Sequence, residues 1–469
     1  MSAIPAITLI DVGNEVPFFD GPSLGVLALQ NYLDQCGVKS AILPACGTGI
    51  SDRPRSDAIE QFLSRHQGSF GEVLGFSCTS DDLPQALFLA QAAKRLSGAF
   101  ILLGGVGPTL LAEEIVAAYP FVDAVCVGEG EETLLQISAV GRDPEALSGV
   151  RGIVFPSPNG KVVRTGSRPR IGDLDCLPVT HAVMELEDDP LGYDFMVHLI
   201  ASRGCPGTCS FCSHRSVWGN HRATLSMDRL CEFLQTNEYG GDRMLVVLHD
   251  DTFIFPGSRL LDLEQEIGRR GMSIRWSCFA RVADISENTG SVLRATGCDE
   301  VTLGVDGVST DILAGMRKAT GLAEGKRAVA TLLDAGVAVR VNLIWDWPGE
   351  TYEDFENMVH FAYESLCLGA LVGMSRLIVY PKTRLSFALG TRMIVDDASI
   401  RNLDCILGDA AVFVRENPTM FLNFFRHSHS RETEKKIALF EKVAFMFGSD
   451  LTRQTRHPVR WTDRREYGS

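Results

Sequence analysis

Three closely spaced cysteines constrain this chain more than any other feature of its sequence. Thiolates spaced C-x-x-x-C-x-x-C, on a loop that leaves the apolar run Met196–Ala201, can hold three irons of a cubane cluster. The fourth iron then has no protein ligand, and it is open to a substrate or cofactor as an open position is at a catalytic metal. The segment reads Ser202-Arg203-Gly204-Cys205-Pro206-Gly207-Thr208-Cys209-Ser210-Phe211-Cys212.

A zinc knuckle is the alternative for the same cysteines, with His214 as the fourth ligand. Structural zinc sites usually pair their ligands in two short clips that are well apart in sequence. His214 follows Cys212 after a single residue, and no second clip occurs downstream. The spacing therefore favours the open cluster over zinc.

Composition limits the classes to which the chain can belong. Its 469 residues suffice for two or three domains. A net charge of −15 disfavours a nucleic-acid surface, and thirteen mostly scattered cysteines fit a reducing cytoplasm better than a disulfide framework. No basic region precedes the first apolar run, and no apolar stretch approaches the length of a membrane span. We therefore expect a cytoplasmic protein with no nucleic-acid or membrane partner.

The first third of the chain alternates apolar runs with amphipathic segments. This alternation predicts a doubly wound, Rossmann-like parallel sheet over residues 1–140, which would bind ligands beyond the carboxyl ends of its strands. The predicted strands are Ile7–Val12, Ser40–Leu43, Val73–Phe76, Phe100–Leu103 and Ala124–Val127, and the predicted helices are Leu24–Gln35, Ala58–His66, Leu83–Leu96 and Leu110–Ala118.

Glycine-rich turns follow the fourth and fifth of these strands. Such turns let a bulky cofactor approach the backbone, and a nearby threonine can donate a hydrogen bond, but plain tight turns are equally compatible with the pattern. The residues are Gly104, Gly105 and Thr109 in the first turn, and Gly128, Glu129 and Gly130 in the second.

Residues 141–195 are predicted to connect two domains. Val150–Phe155 and Lys161–Thr165 predict a hairpin around an Asn159-Gly160 turn. Ser167–Pro178 is polar and proline-rich, which is typical of a linker that lies over a surface.

From Met196 the strand–helix alternation resumes and predicts a partial (β/α)6 barrel over residues 196–395, with catalytic groups at the carboxyl ends of its strands. The predicted strands are Met196–Ala201, Met244–His249, Ser273–Phe279, Glu300–Val305, Ala338–Trp345 and Leu371–Tyr380. The polar candidates at those ends are Asp250, Asp251, Ser277, Arg281, Asp306, Asn342 and Tyr380.

Residues 396–469 lack the alternation and predict a helical C-terminal domain that closes the open side of the barrel. Helices are expected at Asp397–Arg415 and Arg431–Phe447. Arg426, His427 and His429 lie between them and are candidates to face the substrate.

The cysteine loop resembles the signature of radical SAM enzymes. The phrase Ser202-Arg203-Gly204-Cys205-Pro206, with Phe211 before the third cysteine, further resembles the branch of that superfamily that has an N-terminal cobalamin-binding domain. Asp173–Pro178 and Met316-Arg317-Lys318 are similar to other phrases of the same branch. The resemblance implies a 4Fe–4S cluster on Cys205, Cys209 and Cys212, whose open iron is chelated by S-adenosylmethionine.

The resemblance also implies roles at the strand ends. Asp250, with Asp251 beside it, would contact the amino group of S-adenosylmethionine, although helix capping is the alternative for both. Arg281, with Ser277 in the same strand, would pair with the methionine carboxylate. Ribose contacts are expected at Asp306 and Asn342, and a substrate contact or proton-transfer group at Tyr380.

For the N-terminal domain the resemblance implies bound cobalamin, and Ser23 at the start of the first helix fits that family. Many such domains carry a D-x-H-x-x-G turn, but this chain reads Asp11-Val12-Gly13-Asn14-Glu15. Cobalamin is therefore expected to bind without a histidine below the cobalt. Ser77, Thr79 and Ser80 can face the lower side of the corrin, and Asp81 is expected to cap the next helix. A domain that has lost its cofactor and persists as a scaffold is the alternative.

In this family the pairing of cofactors usually methylates an unactivated carbon, and other members cyclise or rearrange their substrates. We therefore expect a methyltransferase that acts on a small molecule and takes electrons from an external donor such as flavodoxin or ferredoxin. A protein that only transfers electrons is the alternative outside catalysis.

Overall fold

The computed structural model describes residues 6–12, 22–44, 56–186, 189, 192–393, 407–427 and 430–447. Two seven-stranded sheets and a two-stranded ribbon organise these residues. The α-helices are Leu24–Gln35, Ser56–His66, Leu83–Ser97, Val106–Leu110, Ala112–Ala118, Glu131–Val140, Pro144–Ser148, Ser213–Trp218, Met227–Thr236, Ser258–Arg270, Thr289–Ala295, Thr310–Met316, Leu322–Asp334, Tyr352–Cys367, Arg384–Leu389, Ala411–Glu416 and Arg431–Phe447. Within the described ranges no helix has the length and apolar character needed to cross a membrane.

The first sheet is the predicted doubly wound sheet with a hairpin added at one edge. Its strands are β1 (Ile7–Asp11), β2 (Ser40–Pro44), β3 (Val73–Ser77), β4 (Phe100–Gly104), β5 (Ala124–Cys126), β6 (Ile153–Pro156) and β7 (Val162–Arg164). The order is β2-β1-β3-β4-β5-β6-β7, and β1 to β5 run parallel. An order of 2-1-3-4-5 places the switch point between β1 and β3, where such sheets bind ligands.

Both faces of this sheet are buried, which explains why its strands are continuous apolar runs. Leu9 and Ile10, successive residues of β1, pack into separate cores on opposite faces. This follows from the two-residue period of a strand. The predicted helix Leu110–Ala118 is in fact two short helices, because the chain leaves helical geometry at Leu111.

The second sheet is the predicted open barrel. Its strands are β8 (His181–Glu185), β9 (Phe195–Leu199), β12 (Met244–Leu248), β13 (Arg275–Arg281), β14 (Cys298–Asp306), β15 (Ala338–Trp345) and β16 (Leu371–Arg376), and the ribbon consists of β10 (Ser202–Arg203) and β11 (Ala223–Thr224). Strands β9 and β12 to β16 are parallel neighbours in chain order. The six predicted barrel strands and the α/β fold class are thereby confirmed.

The predicted connector is divided between the two sheets. Strand β6 pairs antiparallel with β5, so the hairpin extends the first sheet. Strand β8 pairs antiparallel with β9 at the edge of the barrel. The hairpin was predicted correctly, but its membership of the first sheet was not, because pairing partners are set by contacts distant in sequence.

The C-terminal segment contacts both domains rather than the barrel alone. Phe413 packs edge-on against Tyr119 of the first domain, with ring centroids 5.4 Å apart. Helix Arg431–Phe447 instead packs on the barrel helix Tyr352–Cys367 and buries Val443 in the barrel core. Of the predicted helix Asp397–Arg415, the part before residue 407 lies outside the described residues, as does His429.

Candidate active site

Neighbouring elements hold the cysteine loop from both sides. The Ser210 amide donates to the Met316 carbonyl at 3.0 Å, and the Ser210 hydroxyl donates to the Gly315 carbonyl at 2.8 Å. The Leu385 amide donates to the Ser210 carbonyl at 2.9 Å. At the start of the loop Gly204 has φ +89, and a Cβ there would lie 2.2 Å from the His221 carbonyl oxygen. Only glycine fits this position.

The three cysteines are partly exposed free thiols on this one loop. Burial raises the pKa of Cys205 and Cys209 and raises the pKa of Cys212 to about 11. The Gly207 amide donates to the Cys205 sulfur at 3.3 Å, and the positive charges of Arg281 and Lys318 act in the opposite direction to burial. A backbone donor and two cations beside the sulfurs suit a cluster ligated by thiolates.

Zinc and a cubane cluster require different arrangements of their ligands. A single zinc ion needs ligands that converge on one centre, whereas a cubane spreads three thiolates over three different irons. His214, the alternative zinc ligand, pairs through Nδ1 with Asp251. That histidine is therefore already engaged, and the three cysteines of the loop remain the ligands that the spacing predicts for the cluster.

Asp250 lies beneath the start of the loop and is 2% exposed. The Ala201 amide donates to its Oδ1 at 2.7 Å, and the Ser202 hydroxyl donates to its Oδ2. Burial raises the pKa of this carboxyl, and Arg259 opposes the rise. Asp250 thus anchors the loop, and neither it nor Asp251 caps a helix. Contact of these two residues with S-adenosylmethionine stays a prediction.

Two further predicted contacts are paired with charges of the chain. Arg281 forms a two-pronged contact with Asp284, and its Nε donates to Oδ2 at 2.9 Å. Asp306 pairs with Lys318, whose Nζ also donates to the Gly304 carbonyl at 3.2 Å. Both pairs lie close enough to Cys205 or Cys209 to influence the thiol pKa values. Arg281 and Asp306 therefore flank the cysteines as predicted cofactor contacts. The charge of each is already balanced by its partner, Asp284 or Lys318.

Ser277 and Asn342 lie on the inner surface of the barrel. Ser277 is partly exposed between the buried Trp276 and Cys278, and Asn342 is partly exposed between the buried Val341 and Leu343. Those buried neighbours pack into the core under the helices. Because side chains alternate along a strand, Ser277 and Asn342 point the other way, into the barrel.

A histidine pair that the sequence analysis did not nominate also faces this interior. His198 Nδ1 and His249 Nε2 are 2.8 Å apart, so one ring donates and the other accepts. Burial lowers the pKa of both imidazoles to about 4. The only signal in the sequence is a histidine amid the apolar residues of β9, which is weak because buried histidines are often structural.

Phe211, Trp345 at the end of β15 and Trp347 just after it are packing residues. Phe211 meets Trp347 edge-on with centroids 6.1 Å apart, and Trp347 is buried. Trp345 is also buried and packs against Phe355.

The glycine turns of the first sheet line a largely apolar cavity of about 240 Å³. Gly105 has φ +98, and a Cβ there would lie 2.4 Å from the Cys78 carbonyl oxygen. Thr109 Oγ1 accepts the Gly128 amide at 3.1 Å, so Thr109 ties the two turns together. The lining includes the predicted residues Ser77, Gly104, Gly105, Gly128, Glu129 and Gly130, together with Ile200, Arg203 and Trp218 of the barrel domain.

The other predicted contacts of the first domain make local hydrogen bonds. Ser23 Oγ donates to Asp11 Oδ1 at 3.1 Å. Thr79 Oγ1 donates to Asp82 Oδ2 at 2.7 Å. The prediction that Asp81 caps the next helix is wrong: the N-cap position is Asp82, and the helix begins at Leu83.

Asp81 instead accepts two hydrogen bonds from outside the first domain. Tyr380 Oη donates to its Oδ2 at 2.9 Å, and Asn423 Nδ2 donates to its Oδ1 at 2.9 Å. Burial raises the pKa of Tyr380 far above its usual value, and the Asp81 charge adds to the effect. Tyr380 therefore links the barrel to the first domain through this hydrogen bond. Its role in substrate contact or proton transfer stays a prediction.

Glu129, which lines the cavity, also joins the two domains. Its Oε1 accepts Arg203 Nη1 at 3.1 Å, and its Oε2 accepts the Ile171 amide at 2.8 Å. Arg203 also pairs with Glu131 at 2.6 Å. Arg203, two residues before Cys205, is thus bonded directly to the second glycine turn. This contact places the cavity beside the cysteine loop.

Two family models match separate segments of the chain. Residues 10–138 match the model of the B12 binding domain, and residues 199–362 match the model of the Radical SAM superfamily.

Several curated relatives share part of their length with this chain. An uncharacterised methyltransferase of Pyrococcus horikoshii is 28% identical over 62% of this chain and 64% of its own length. The anaerobic magnesium-protoporphyrin IX monomethyl ester cyclase of Rubrivivax gelatinosus is 27% identical over 62% and 54%. The hopanoid C-3 methylase of Methylococcus capsulatus is 26% identical over 58% and 53%. The matched segments thus span less than two thirds of each of these relatives.

Two solved structures share the fold across both domains. The radical SAM methyltransferase TsrM of Kitasatospora setae, with cobalamin and a [4Fe-4S] cluster bound, has a TM-score of 0.63 at 16% identity and covers 83% of this chain and 75% of its own. The cobalamin-dependent SAM radical enzyme OxsB, with aqua-cobalamin bound, has a TM-score of 0.67 at 16% identity and covers 95% and 67%. At these identities the likeness shows the fold alone.

Proposed function

We propose that this chain, which matches the models of the B12 binding domain and of the Radical SAM superfamily, methylates an unactivated carbon of a small molecule or natural-product intermediate. The observation that carries the proposal is the glycine-lined cavity, which is walled jointly by the first domain and by Ile200, Arg203 and Trp218 beside the cysteine loop. A methyl donor and a radical generator must act on one substrate, so their sites have to adjoin.

The residues present fit the cofactors that this chemistry requires. Cys205, Cys209 and Cys212 would hold a 4Fe–4S cluster, and the turns at Gly104-Gly105 and Gly128 would admit cobalamin close to the backbone. When bound, these groups supply reductive cleavage of S-adenosylmethionine and a transferable methyl group. Arg281 and Lys318 place positive charge beside the sulfurs, and their partners Asp284 and Asp306 keep that charge oriented.

The inner surface of the barrel would position the substrate and S-adenosylmethionine. Ser277 and Asn342 present a hydroxyl and an amide to this space, and the neutral pair of His198 and His249 adds a donor and an acceptor. Phe279 is 38% exposed on the same wall, next to His249. A substrate with an apolar body and a few polar groups matches this lining.

A second candidate is cyclisation or rearrangement without methyl transfer. It is favoured by the likeness to the Rubrivivax gelatinosus enzyme, which is a cyclase. Under either reading the chain would work in the cytoplasm and take electrons from an external carrier such as flavodoxin or ferredoxin.

Coproduct analysis separates the two candidates. A methyltransferase of this kind consumes S-adenosylmethionine twice, and incubation with substrate and a strong reductant should release S-adenosylhomocysteine and 5′-deoxyadenosine in near equal amounts. Deoxyadenosine alone would indicate cyclisation or rearrangement. S-adenosylhomocysteine alone would indicate methyl transfer without a radical, and the proposal would be wrong.

A further inference from the structure

A polar cavity of about 430 Å³ lies at the boundary between the two domains, and the proposed function makes no use of it. Its lining comes from the first domain and the linker and, on the barrel side, from Ser216, Val217 and Lys382. It meets the apolar cavity of the glycine turns at Glu129. Sites for small molecules typically enclose about 300 to 1,000 Å³, so this space suits a ligand of that size.

Positive charge exceeds negative charge in the lining of this polar cavity. The lining contains four cations and two carboxylates: Arg164, Arg168, Arg170 and Lys382, with Glu113 and Glu129. The Glu129 side chain is 4% exposed and pairs with Arg203, so its charge is engaged outside the cavity. Because the whole chain has a net charge of −15, a local excess of cations is opposite to its average and favours an anionic ligand at this place.

Two of the four cations have no carboxylate partner. Arg168 donates to oxygens of three uncharged groups, and Arg170 donates to the Val217 carbonyl. Within the described part of the chain, no ion pair therefore balances either guanidinium. A partly buried charge is stabilised by an opposite charge, which a bound anion would supply here.

Arg168 is held in place and still has a donor to offer. Its Nε donates to Thr133 Oγ1 at 3.0 Å, and its Nη2 donates to Gln136 Oε1 and to the Arg151 carbonyl, both at 2.8 Å. Its Nη1 makes no hydrogen bond to the residues that the structure describes and is open to solvent. Because the guanidinium is already fixed, binding a ligand through Nη1 would cost little side-chain entropy.

Arg164 brings a second guanidinium to the same cavity. Its side chain is 45% exposed, and its Nη1 contacts Glu113 at 2.5 Å. Its Nη2 makes no hydrogen bond among the described residues. A guanidinium presents its donors as a planar fork that matches the oxygens of a phosphate group.

We propose that this polar cavity binds a small ligand with a phosphate group, which Arg168 Nη1 and Arg164 Nη2 contact. Phosphate is favoured over carboxylate because its three terminal oxygens can accept from both arginines, and because its charge near −2 offsets two cations. A free nucleotide and a phosphorylated substrate share this chemistry, and the experiment below distinguishes them. The proposal does not rest on the proposed function.

Isothermal titration calorimetry of the full chain with inorganic pyrophosphate and with ATP, both without magnesium, tests the proposal. Arg168→Met should weaken pyrophosphate binding by about tenfold or more, and Arg168→Lys, which keeps the charge but not the fork, should weaken it less. Arg164→Met changes an exposed position, where folding is not at risk, and should weaken binding by about threefold. Arg95→Met is the matched control, because Arg95 is 63% exposed on the helix Leu83–Ser97 and does not line the cavity.

Each outcome of the titrations has one meaning. Tighter binding of ATP than of pyrophosphate would identify a nucleotide as the ligand, whereas equal affinities would mean that the phosphate group alone is recognised, as expected for a phosphorylated substrate. No binding of either probe to the unchanged protein would overturn the proposal. Unchanged affinity in both Arg168→Met and Arg164→Met would also overturn it, as would an equal loss in Arg95→Met, which would indicate diffuse attraction between charges.

Discussion

At the scale of single residues, Asp250 connects the strand end to the cysteine loop. Its two oxygens accept the Ala201 amide and the Ser202 hydroxyl, and Arg259 supplies a compensating charge. Removing the carboxylate leaves two buried donors without their acceptor. It also removes the charge that balances the buried Arg259, which keeps only its hydrogen bonds to the Ala201 and Leu225 carbonyls. Such losses are strongly destabilising.

We therefore expect Asp250→Ala to lower the free energy of unfolding by about 3 kcal/mol and to reduce the iron content after reconstitution. Urea denaturation and iron analysis measure the two effects. Asp251→Ala is the control, because its partner His214 is near the surface and the loop backbone does not depend on it. Equal iron content in both variants would show that Asp250 does not anchor the loop.

The histidine pair predicts a pH dependence of stability. Burial lowers the pKa of His198 and His249 to about 4, whereas an unfolded histidine titrates near 6.5. Between these values only the unfolded chain takes up protons, so stability should fall as the pH falls from 7 to 5.

His249→Asn should reduce that loss by about 2 kcal/mol, because one titrating group is removed. Urea midpoints at the two pH values measure the change. His360→Asn, at an exposed helical position, should leave the pH dependence as it is. An unchanged dependence in His249→Asn would mean that its imidazole is not held neutral by burial.

Residue types were easier to predict than their partners. The spacing of three cysteines and the polar residues at strand ends could be found in the sequence. The partners of Arg281, Asp306 and Glu129 could not, because each pairing depends on long-range geometry or on a short turn whose conformation the sequence does not show.

At the scale of elements, the cysteine loop depends on one backbone conformation. Gly204 has a positive φ, and a Cβ there would lie 2.2 Å from the His221 carbonyl oxygen. Gly219, which ends the helix after the loop, also has a positive φ, but a Cβ there would meet no atom within 4 Å.

This contrast gives a matched pair of substitutions. Gly204→Ala should prevent cluster reconstitution, because the new methyl group overlaps the backbone of His221. Gly219→Ala should cost about 2 kcal/mol of stability through backbone strain and keep the cluster. The absorbance of the reconstituted proteins in the thiolate-to-iron charge-transfer bands measures the cluster content of each variant. Full cluster content in Gly204→Ala would contradict the loop geometry described above.

Strands and long helices were predicted best because their burial imposes a period on the sequence. The barrel strands were found from apolar runs, and the helix Leu24–Gln35 was predicted to the residue. The prediction that Asp81 caps a helix was wrong, because an aspartate before a helix can instead accept hydrogen bonds from donors that are distant in sequence. Here Tyr380 and Asn423 donate to it.

At the scale of the whole molecule, Tyr380, Asp81 and Asn423 join barrel, first domain and C-terminal segment. Tyr380→Phe removes one hydrogen bond from this junction and should lower stability by about 1 kcal/mol without loss of cobalt or iron. Denaturation and metal analysis check the structural role. A normal metal content with turnover abolished would show instead that the hydroxyl takes part in the reaction, as the sequence suggested.

We propose that one chain holds an open iron–sulfur cluster and a cobalamin at adjoining sites. Metal and corrinoid analysis of the protein, purified without oxygen from cells supplied with cobalamin, measures both groups at once. We expect about four irons and about one cobalt per chain, with the iron lost and the cobalt kept when Cys205, Cys209 and Cys212 are replaced by alanine. Stoichiometric zinc without iron, or iron without cobalt, would contradict it.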